Sequence, residues 1–600
     1  MKISLRLVFT LVAGIAAYQQ TSYAQTISGT LVGRYATGLF DAGSTEIVAY
    51  DPQSKQLFSV NAVSGDIDII SITNPAQPQF ISSIDLAPYG KSANSVAFKD
   101  GVLAAAVEAS NKQELGKVVF FDAQGNFLNS VNSGALPDML TFSPDGLTVL
   151  VANEGEPSAD YTVDPVGSIT IISLDNGVLY PEVTVVGFES FIGKEDSLRT
   201  AGIRIFGPNA NAAQDIEPEY IAVSADSKTA WVVCQENNAM AKIDLTTKSL
   251  IGFKSLGLKD HNVISNAFDP SDRNDGKINI KPYPAKGMYM PDGMAAITIA
   301  NQTYILTANE GDAREYGDFV ENARLKDLSI DAALLAANPG LAADSALGRL
   351  NISKLDGDID NDGDIDVIHS YGARSFSVFS SDINLLYDSG NEFETFFATE
   401  TPNHFNTSHT NNTKKNRSDD KGPEPECITV LEAGPSKFAF IGLERTSGIL
   451  VYDVTQPTQP VRCGYITSRD FTQTPGANTQ GGDLGPEGLI TISGSDSPDG
   501  MTYLVSANEV SGSIAIYRLS GSGLSSLTEN QKSDFGAVWP NPVTGEVLYL
   551  TRETSGKILD INGRVLQTVV NSKQINVSQL QPGMYLLEND LGITQRFIKQ

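Results

Sequence analysis

The stretch PEGLITISGSDSPDGMTYLVSANEVSGSIAIYRL, residues 486–519, decides the fold because its layout recurs upstream. A Pro-Glu-Gly corner opens an apolar strand, a turn rich in Ser, Asp, Pro and Gly follows, and a second apolar strand ends in Asn508-Glu509. A third, alternating strand runs from Ser513 to Leu519. Gly, Pro, Asn and Asp supply the turn dihedrals that β-hairpins need. One such meander cannot bury both of its faces, whereas copies stacked in a ring can.

The other copies align on the opening corner and on the polar, mostly acidic end of the second strand. In chain order the seven units pair Thr45-Glu46 with Val60-Asn61, Asn94-Ser95 with Val107-Glu108, Pro137-Asp138 with Asn153-Glu154, Pro218-Glu219 with Gln235-Glu236, Pro291-Asp292 with Asn309-Glu310, Pro425-Glu426 with Leu443-Glu444, and Pro486-Glu487 with Asn508-Glu509. Four short strands in about 40–50 residues are the period of a β-propeller. We predict an all-β fold with a seven-bladed propeller over residues 25–519, and six or eight blades stay open as alternatives.

The two ends of this region predict how the ring closes. A short strand at Thr30–Tyr35 has no unit of its own, and the last unit ends at Leu519 without a fourth strand. Pairing the two would leave no open sheet edge. We therefore predict that the N-terminal strand completes the last blade.

Residues 1–24 are typical of a secretory signal peptide. Lys2 and Arg6 flank the start of an apolar run over residues 5–17, and Ser22-Tyr23-Ala24 provide a small-residue end before Gln25. A membrane anchor is the alternative, but spanning a bilayer takes about 20 apolar residues. No later stretch is long enough to span either, so the sequence predicts an exported protein without a transmembrane segment after cleavage.

The charge balance restricts the partners. The chain has 71 acidic and 42 basic residues and a formal net charge of −29. This disfavours nucleic acid and anionic lipid and favours cations, although acidity that only maintains solubility is an equal alternative. The odd cysteine count implies no disulfide framework, but Cys427 and Cys463 lie in one predicted blade and could pair.

The fifth unit carries an insertion at about residues 313–372, before a third strand expected at Ser375–Phe379. Residues 327–350 are rich in Ala and Leu and predict one or two short helices. The second half holds six aspartates at alternate positions: Asp356, Asp358, Asp360, Asp362, Asp364 and Asp366.

This aspartate run predicts calcium, which takes six to eight oxygen ligands and tolerates irregular loops. With Asp358 at position 1 of an EF-hand loop, Gly363 occupies the glycine position, but position 12 is His369 instead of glutamate. The loop is therefore not a complete EF-hand. A merely solvated acidic turn is the alternative, and magnesium fits less well because it prefers fewer protein ligands.

Superposing the units predicts two rings of carboxylates near one mouth of the central channel. The corner ring comprises Asp138, Glu219, Asp292, Glu426 and Glu487. The second-strand ring comprises Glu108, Glu154, Glu236, Glu310, Glu444 and Glu509. So many carboxylates would bind a cation or raise one another's pKa values. Alternatively each acid caps its own blade, with Arg314, Arg417 and Arg445 as partners.

Familiar catalytic motifs are missing from the sequence. The four histidines show no His-Glu-x-x-His spacing, and there is no Gly-x-Ser-x-Gly elbow or phosphate-binding glycine loop. An enzyme built on these residues would be a hydrolase that uses carboxylates and a metal.

Several segments of the propeller resemble the choice-of-anchor I family of exported propeller-like proteins over residues 33–519. The resemblance is carried by the aspartate-rich insertion and by residues 417–426, 442–445, 484–489 and 507–512. It implies little about activity, because members include animal mesenchyme-specific cell-surface glycoproteins linked to biomineralisation and bacterial proteins with alkaline phosphatase- or phytase-like names. No catalytic residues carry over.

A Ser/Gly-rich linker at residues 520–534 precedes a small β-sandwich at residues 535–600. Residues 538–542, 556–564, 580–585 and 597–599 resemble the type A C-terminal sorting domain of type IX secretion, with Trp539 in place of the usual Tyr or Phe. The resemblance implies recognition by the type IX machinery of a didermal bacterium, followed by release or attachment to surface lipopolysaccharide. An ordinary adhesion module is the alternative.

Two functions follow from these observations. The first is a secreted or cell-surface calcium-binding protein that acts as a binding or scaffold protein. The second is a metal-dependent phosphoesterase with its site among the carboxylates of the channel mouth.

Overall fold

The computed structural model describes residues 26–522, 524, 538–539, 542–560, 564–589 and 594–600. The predicted signal peptide and most of the predicted linker lie outside the described residues.

The described elements are almost entirely strands. The first seventeen are β1 (Ile27–Ala36), β2 (Val48–Asp51), β3 (Gln56–Asn61), β4 (Asp66–Ser71), β5 (Gln79–Ile84), β6 (Ala93–Lys99), β7 (Val102–Val107), β8 (Leu115–Asp122), β9 (Phe127–Ala135), β10 (Pro137–Phe142), β11 (Thr148–Asn153), β12 (Ser168–Ser173), β13 (Glu182–Gly187), β14 (Ile221–Val223), β15 (Thr229–Cys234), β16 (Ala239–Asp244) and β17 (Ser249–Ser255). Next come β18 (Leu258–Asp260), β19 (Ala285–Met288), β20 (Met294–Ile299), β21 (Gln302–Asn309), β22 (Glu315–Tyr316), β23 (Phe319–Val320), β24 (Asn322–Arg324), β25 (Asn351–Ser353), β26 (Ile368–Ser370), β27 (Ser375–Ser380) and β28 (Leu385–Asp388). The last are β29 (Pro425–Ala433), β30 (Ser436–Leu443), β31 (Gly448–Asp453), β32 (Val461–Ile466), β33 (Pro486–Ile492), β34 (Tyr503–Asn508), β35 (Ser513–Gly521), β36 (Val538–Trp539), β37 (Val547–Leu559), β38 (Val565–Asn576), β39 (Gly583–Asn589) and β40 (Thr594–Lys599).

Seven four-stranded antiparallel sheets form the blades within the described residues. They are β2–β5, β6–β9, β10–β13, β14–β17, then β20 with β21, β27 and β28, then β29–β32, and finally β33–β35 with β1. The N-terminal strand β1 pairs with β35 from Ile27 opposite Gly521 to Ala36 opposite Ser513. The predicted all-β propeller and its closure by the N-terminal strand are confirmed.

The blades are held together by apolar contacts that run around the whole ring. The first strands of successive blades contact each other in a closed cycle: β2, β6, β10, β14, β20, β29, β33 and β2 again. A separate buried apolar cluster lies between each pair of neighbouring blades. The largest side chains in these clusters include Trp231, Phe58 and Tyr452. Burial of both faces of every sheet is the main favourable term for this fold.

The insertion in blade five builds a second sheet beside the ring. Its order is β18, β19, β26, β25, β24, in which β19 and β26 are parallel. Strands β18 and β19 come from the connection between blades four and five, so this connection and the insertion share one apolar core, which includes Phe268, Leu350 and Ile368. The third strand of blade five, β27, begins at the predicted residue, Ser375.

Helices are few and short in the part of the chain that the structure describes. They are α1 (Glu195–Thr200), α2 (Ala212–Asp215), α3 (Ala332–Ala337) and α4 (Glu392–Glu400), with 3-10 turns at Glu189–Phe191, Ile264–Asn266 and Leu325–Asp327. Helix α3 lies where the Ala/Leu-rich half of the insertion predicts a helix. No helix among the described residues has the length and apolarity needed to cross a membrane.

The C-terminal segment is all-β, as predicted. Its long strand β37 pairs with β38 along most of its length, with β36 near its start and with β39 near its end, and β39 pairs with β40. The buried side chains of this segment form their own core, which includes Leu548, Ile558 and Phe597.

All three cysteines of the sequence lie in described residues and are buried free thiols. The Sγ of Cys427 donates to the carbonyl oxygen of Pro486, 3.4 Å away, and does not bond to Cys463. The pairing that the sequence left open is therefore not formed.

Candidate functional site

The corner acids are aimed by a β-bulge at the start of the first strand of a blade. In blades three, six and seven the corner proline pairs with the last residue of the second strand, and the register shifts directly after it. Proline lacks the N–H that a regular ladder needs, and a bulge leaves one residue unpaired and re-aims its side chain. The residue placed in this way is Asp138, Glu426 or Glu487.

The second-strand acids lie beside the corner acids for the same reason. Pro137 pairs with Asn153, so Glu154, which follows Asn153, reaches the same edge of the blade as Asp138. Leu443 before Glu444 and Asn508 before Glu509 are placed identically. The acids of both rings therefore lie at the same mouth of the channel.

This mouth is a cavity of about 650 Å³. Nine of the eleven acids of the two predicted rings line it: Glu154, Glu219, Glu236, Asp292, Glu310, Glu426, Glu444, Glu487 and Glu509. Asp138 is outside the lining, but its carboxylate oxygen lies within 4.8 Å of those of Glu154 and Glu219. Glu108, also predicted in the ring, pairs with Lys91 at 2.8 Å and with the Ser92 hydroxyl.

Burial and mutual repulsion raise the pKa values of the ring carboxyls. Burial, with Asp292, Glu46 and other acids as neighbours, raises the pKa of Asp138 to about 7. Burial likewise raises the pKa of Glu236 to about 7, of Asp292 to about 6 and of Glu509 to about 8. The pKa values of Glu154, Glu219, Glu310, Glu426 and Glu487 are also raised, with burial as the first cause. The mouth therefore holds protons at neutral pH.

Two of the carboxylate triads at the mouth combine acids of both predicted rings. In each triad the ligand oxygens are all within 4.8 Å of one another. The first triad is Asp138, Glu154 and Glu219, from blades three and four. The second triad is Asp292, Glu310 and Glu426, from blades five and six.

Lys421 is the buried cation beside the second triad. Its Nζ pairs with Glu310 and lies 3.4 Å from Glu424 Oε2 and 3.8 Å from Asp312 Oδ1. The other Glu310 oxygen accepts from Gln235 Nε2 at 3.0 Å. Burial raises the pKa of Asp292, and a hydrogen bond with the Glu426 carboxyl lowers it in part. Glu426 is buried, with 6% of its surface exposed, but its Oε2 has no hydrogen-bond partner.

Glu424 pairs with three cations of the mouth, Arg417, Lys421 and Arg445, a role that the sequence did not predict. Arg417 Nε and Arg445 Nε donate to its two oxygens at 2.8 and 3.0 Å. Burial alone would raise the pKa of Glu424, but Arg417, Lys421 and Arg445 hold it well below its usual range. The capping alternative therefore applies to Glu424, which lies two residues before the corner acid Glu426.

Arg314 pairs with two acids that lie outside the predicted rings. Its Nη1 donates to Asp215 at 2.6 Å and its Nε to Glu217 at 2.9 Å, both on the connection before blade four. Arg314 is 2% exposed and lies five residues after the end of β21, the second strand of blade five. It therefore fastens the start of the insertion to the neighbouring blade.

The insertion also forms part of the cavity wall. Its residues at the mouth are Ala313, Arg314, Glu315, Tyr316, Asn322, Asn351 and Tyr371. The sequence identified the insertion but not this position, because the sheet that holds it uses strands β18 and β19 from outside it.

The aspartate loop curls around its own backbone N–H groups. Asp358 accepts from the N–H groups of Asp362 and Gly363, both at 3.1 Å, and Asp366 accepts from Ile359 at 2.7 Å. Oxygens of Asp364 and Asp366 lie within 4.8 Å of an oxygen of Asp331, near α3. Asp364 Oδ1 is buried without a partner.

Asp356 and Asp360 differ from the other predicted ligands. The Asp356 carboxylate accepts from Arg204 Nε at 3.0 Å and from the Ser353 hydroxyl at 2.7 Å, so it is an ion-pair partner instead of a free ligand. Arg204 lies 152 residues away, which is why the sequence did not separate Asp356 from the run. Asp360 stays at the loop, where repulsion from Asp362 is the first cause that raises its pKa.

A closed ring of seven four-stranded sheets with a carboxylate-lined mouth defines a β-propeller. Residues 46–457 match the choice-of-anchor I domain, and the chain belongs to this family. Residues 537–600 match the secretion system C-terminal sorting domain. This tail indicates export to the medium or to the bacterial cell surface.

Similar proteins were found among curated sequences and solved structures. Gigasin-3a of Magallana gigas is 32% identical over 196 residues, which cover 30% of this chain and 68% of that protein. Hydrazine synthase of Kuenenia stuttgartiensis has a TM-score of 0.39 and 12% identity, over 81% of this chain and 99% of that one. The Pan2 WD40 domain of Neurospora crassa has a TM-score of 0.39 and 9% identity, over 83% and 96%. At these TM-scores the structural similarity says nothing about function.

Proposed function

We propose that this exported protein is a calcium-dependent binding or scaffold protein whose ligand enters the carboxylate-lined mouth of the propeller. The observation that supports this most is the position of the insertion, which carries the aspartate loop and also forms a wall of the mouth. Calcium in the loop would fix that wall. The sorting domain would bring the protein through the type IX machinery and leave it released or attached to surface lipopolysaccharide.

The aspartate loop fits calcium by its donor set. Carboxylates from Asp358, Asp360, Asp362, Asp364 and Asp366 provide the oxygen ligands that Ca²⁺ prefers. The unpartnered Asp364 Oδ1 has no protein donor and suits a cation. Asp331 brings a further carboxylate oxygen within 4.8 Å of those of Asp364 and Asp366.

A chain of ion pairs connects the loop to the mouth. Asp356 at the start of the loop pairs with Arg204, and Arg204 also pairs with the buried carboxylate of Glu321. Glu321 Oε2 accepts from the backbone N–H of Arg314 at 3.2 Å. Order in the loop is thereby transmitted to a residue that lines the cavity.

We expect calcium to stabilise the protein through this loop. At a concentration one hundred times its Kd, a ligand that binds only the folded state adds about 2.7 kcal/mol. The double substitution Asp358→Asn and Asp362→Asn should remove this gain, which is measured as the difference between the Tm in calcium and the Tm in chelator. The matched control replaces the exposed loop residues Asp85 and Asp175 by asparagine, and its Tm should still rise when calcium is added. An equal rise in Tm for the loop variant and the control would contradict the loop as a calcium site.

A metal-dependent phosphoesterase is the second proposal, and the cations of the mouth favour it. Lys421, Arg417 and Arg445 line the same cavity as the carboxylates, so an anionic ester would meet both kinds of group. When bound there, a metal ion would polarise the phosphoryl group and orient water. The Glu426 carboxyl, which shares a hydrogen bond with Asp292, can hold or release a proton at the mouth.

The enzyme proposal predicts chelator-sensitive hydrolysis of a panel of phosphomonoesters and phosphodiesters by the secreted chain. Glu426→Gln should lower kcat by at least about a hundredfold, the lower range for loss of a general acid or base. Glu432→Gln, an exposed site on the same strand β29, should leave kcat unchanged. No turnover on any ester, together with calcium-dependent stabilisation, would favour the binding protein instead.

A further inference from the structure

The first and second carboxylate triads of the mouth differ in what neutralises them. The second triad has Lys421 at Glu310, Gln235 at the other Glu310 oxygen, and a hydrogen bond between Asp292 and Glu426. Lys421 therefore already acts as the cation of that triad. A metal ion arriving there would have to displace a buried ammonium group.

The first triad has no such cation. Within the described residues, the side chains of Asp138, Glu154 and Glu219 take part in no ion pair, and none of their oxygens is an acceptor of a hydrogen bond. Lys112, the cation nearest to Glu154, is paired with Glu156 instead. Three clustered carboxylates without a protein donor form an uncompensated negative site.

Glu236 is the second observation that points to a ligand at this place. It is 9% exposed, it lines the cavity together with Glu154 and Glu219, and its Oε2 is buried without any partner. Its charge raises the pKa values of all three members of the triad, and it faces the same cavity as Glu154 and Glu219. Buried carboxylate oxygens are normally hydrogen-bonded, so an orphan oxygen aimed into an acidic cavity calls for a cation.

We propose that Asp138, Glu154 and Glu219, joined by Glu236, bind a hard divalent cation at the mouth of the propeller, with Ca²⁺ preferred over Mg²⁺. Four carboxylates offer up to eight oxygens, which matches the six to eight ligands of Ca²⁺ and exceeds what Mg²⁺ accepts from protein. This site is separate from the calcium loop of the insertion and does not depend on it. It places the metal at the acids of blades three and four, whereas Lys421 pairs with Glu310 of blade five.

The charge of the site sets the pH dependence of binding. The protons held by these carboxyls must leave when the metal enters, so binding releases protons and strengthens as the pH rises. We expect the affinity for Ca²⁺ to be higher at pH 8 than at pH 6.

The experiment uses the secreted chain with the loop already disabled by Asp358→Asn and Asp362→Asn. Calorimetric titration with CaCl₂ should still give one ion per chain in this background. Adding Glu154→Gln and Glu219→Gln should abolish that binding, whereas adding Glu432→Gln should not. Because the added substitutions remove repulsion, they should also raise the Tm in chelator, which confirms folding and separates a binding role from a structural one.

The outcomes distinguish this site from the loop. If the loop variant alone binds no calcium, or if Glu154→Gln with Glu219→Gln leaves the stoichiometry and affinity unchanged, the mouth site is overturned while the loop stands. If the loop variant binds as much calcium as the parent chain and the mouth variant binds none, the mouth site holds and the loop proposal fails.

Discussion

Replacing Arg314 by methionine is expected to lower the free energy of unfolding by about 3–5 kcal/mol, the cost of breaking a buried ion pair by removing one partner. Arg314 Nε and Nη1 neutralise Glu217 and Asp215, and Nη2 donates to the Asp215 carbonyl oxygen at 2.7 Å. All three residues are buried. In the Arg314→Met variant, the Asp215 carboxylate still accepts hydrogen bonds from the backbone N–H groups of Phe206 and Gly207. Glu217, in contrast, loses its only charged partner among the described residues.

The control for this prediction is an arginine whose ion pair faces water. Arg199 pairs with the fully exposed Asp196 at 2.7 Å, and Arg199→Met should cost less than about 1 kcal/mol. Chemical denaturation of both variants measures the difference. Adding Glu217→Gln to Arg314→Met should recover about 1–3 kcal/mol, because it removes the unpaired buried charge. If Arg314→Met and Arg199→Met cost the same, Arg314 does not fasten the insertion to blade four.

The parts of the fold that the sequence predicted are those set by local residues. The Pro-acid corners and the apolar runs after them mark the first two strands of blades three to seven, and proline at the start of a strand also explains the bulge that aims Asp138 and Glu426. The unpaired end of the last unit predicted the place of β1. Each of these features depends on residues that lie close together in the chain.

The parts that the sequence missed depend on contacts between distant residues. Lys421 lies in a quoted motif, but its role follows from Glu310, which is 111 residues away. Asp356 belongs to a regular run of aspartates and is removed from it only by Arg204. Strand β19 joins the insertion through a parallel pairing with β26, a contact that no local sequence pattern predicts. The acids of the mouth could thus be named in advance, but not which of them are neutralised by protein cations.

The difference between acids that have a protein cation as partner and acids that have none explains how one cavity can hold so many acids. On one side Arg417, Lys421 and Arg445 compensate Glu424 and Glu310, so folding satisfies these charges internally. On the other side Asp138, Glu154 and Glu219 form no ion pair within the described residues, and the charge of Arg314 acts on Glu236. In the proposed cation site, the charge of that triad is completed from outside.

In chelator, the free energy of unfolding should fall as the pH rises from about 5 to 8. A carboxyl whose folded-state pKa is raised keeps its proton in the folded state after the unfolded chain has lost it. The unfolded state then binds fewer protons, and stability declines with pH from the unfolded pKa up to the folded pKa. Folding raises the pKa of Glu236 from 4.5 to about 7, and this group alone lowers the free energy of unfolding by about 3 kcal/mol over the window. Asp138, with a pKa of about 7, and Glu509, with a pKa of about 8, add to the loss of stability over the same pH range.

Denaturation at pH 5.5, 7 and 8.5, with chelator and with calcium, tests this expectation. Glu236→Gln should flatten the decline in chelator, because the glutamine carries no charge to bury, whereas Glu432→Gln at an exposed site should leave it intact. Calcium should reduce the decline in the parent chain, since a bound cation replaces the lost protons. Stability that stays level or rises between pH 5.5 and 8.5 in chelator would mean that the mouth carboxylates are solvated, and the charge argument for a cation there would fail with it.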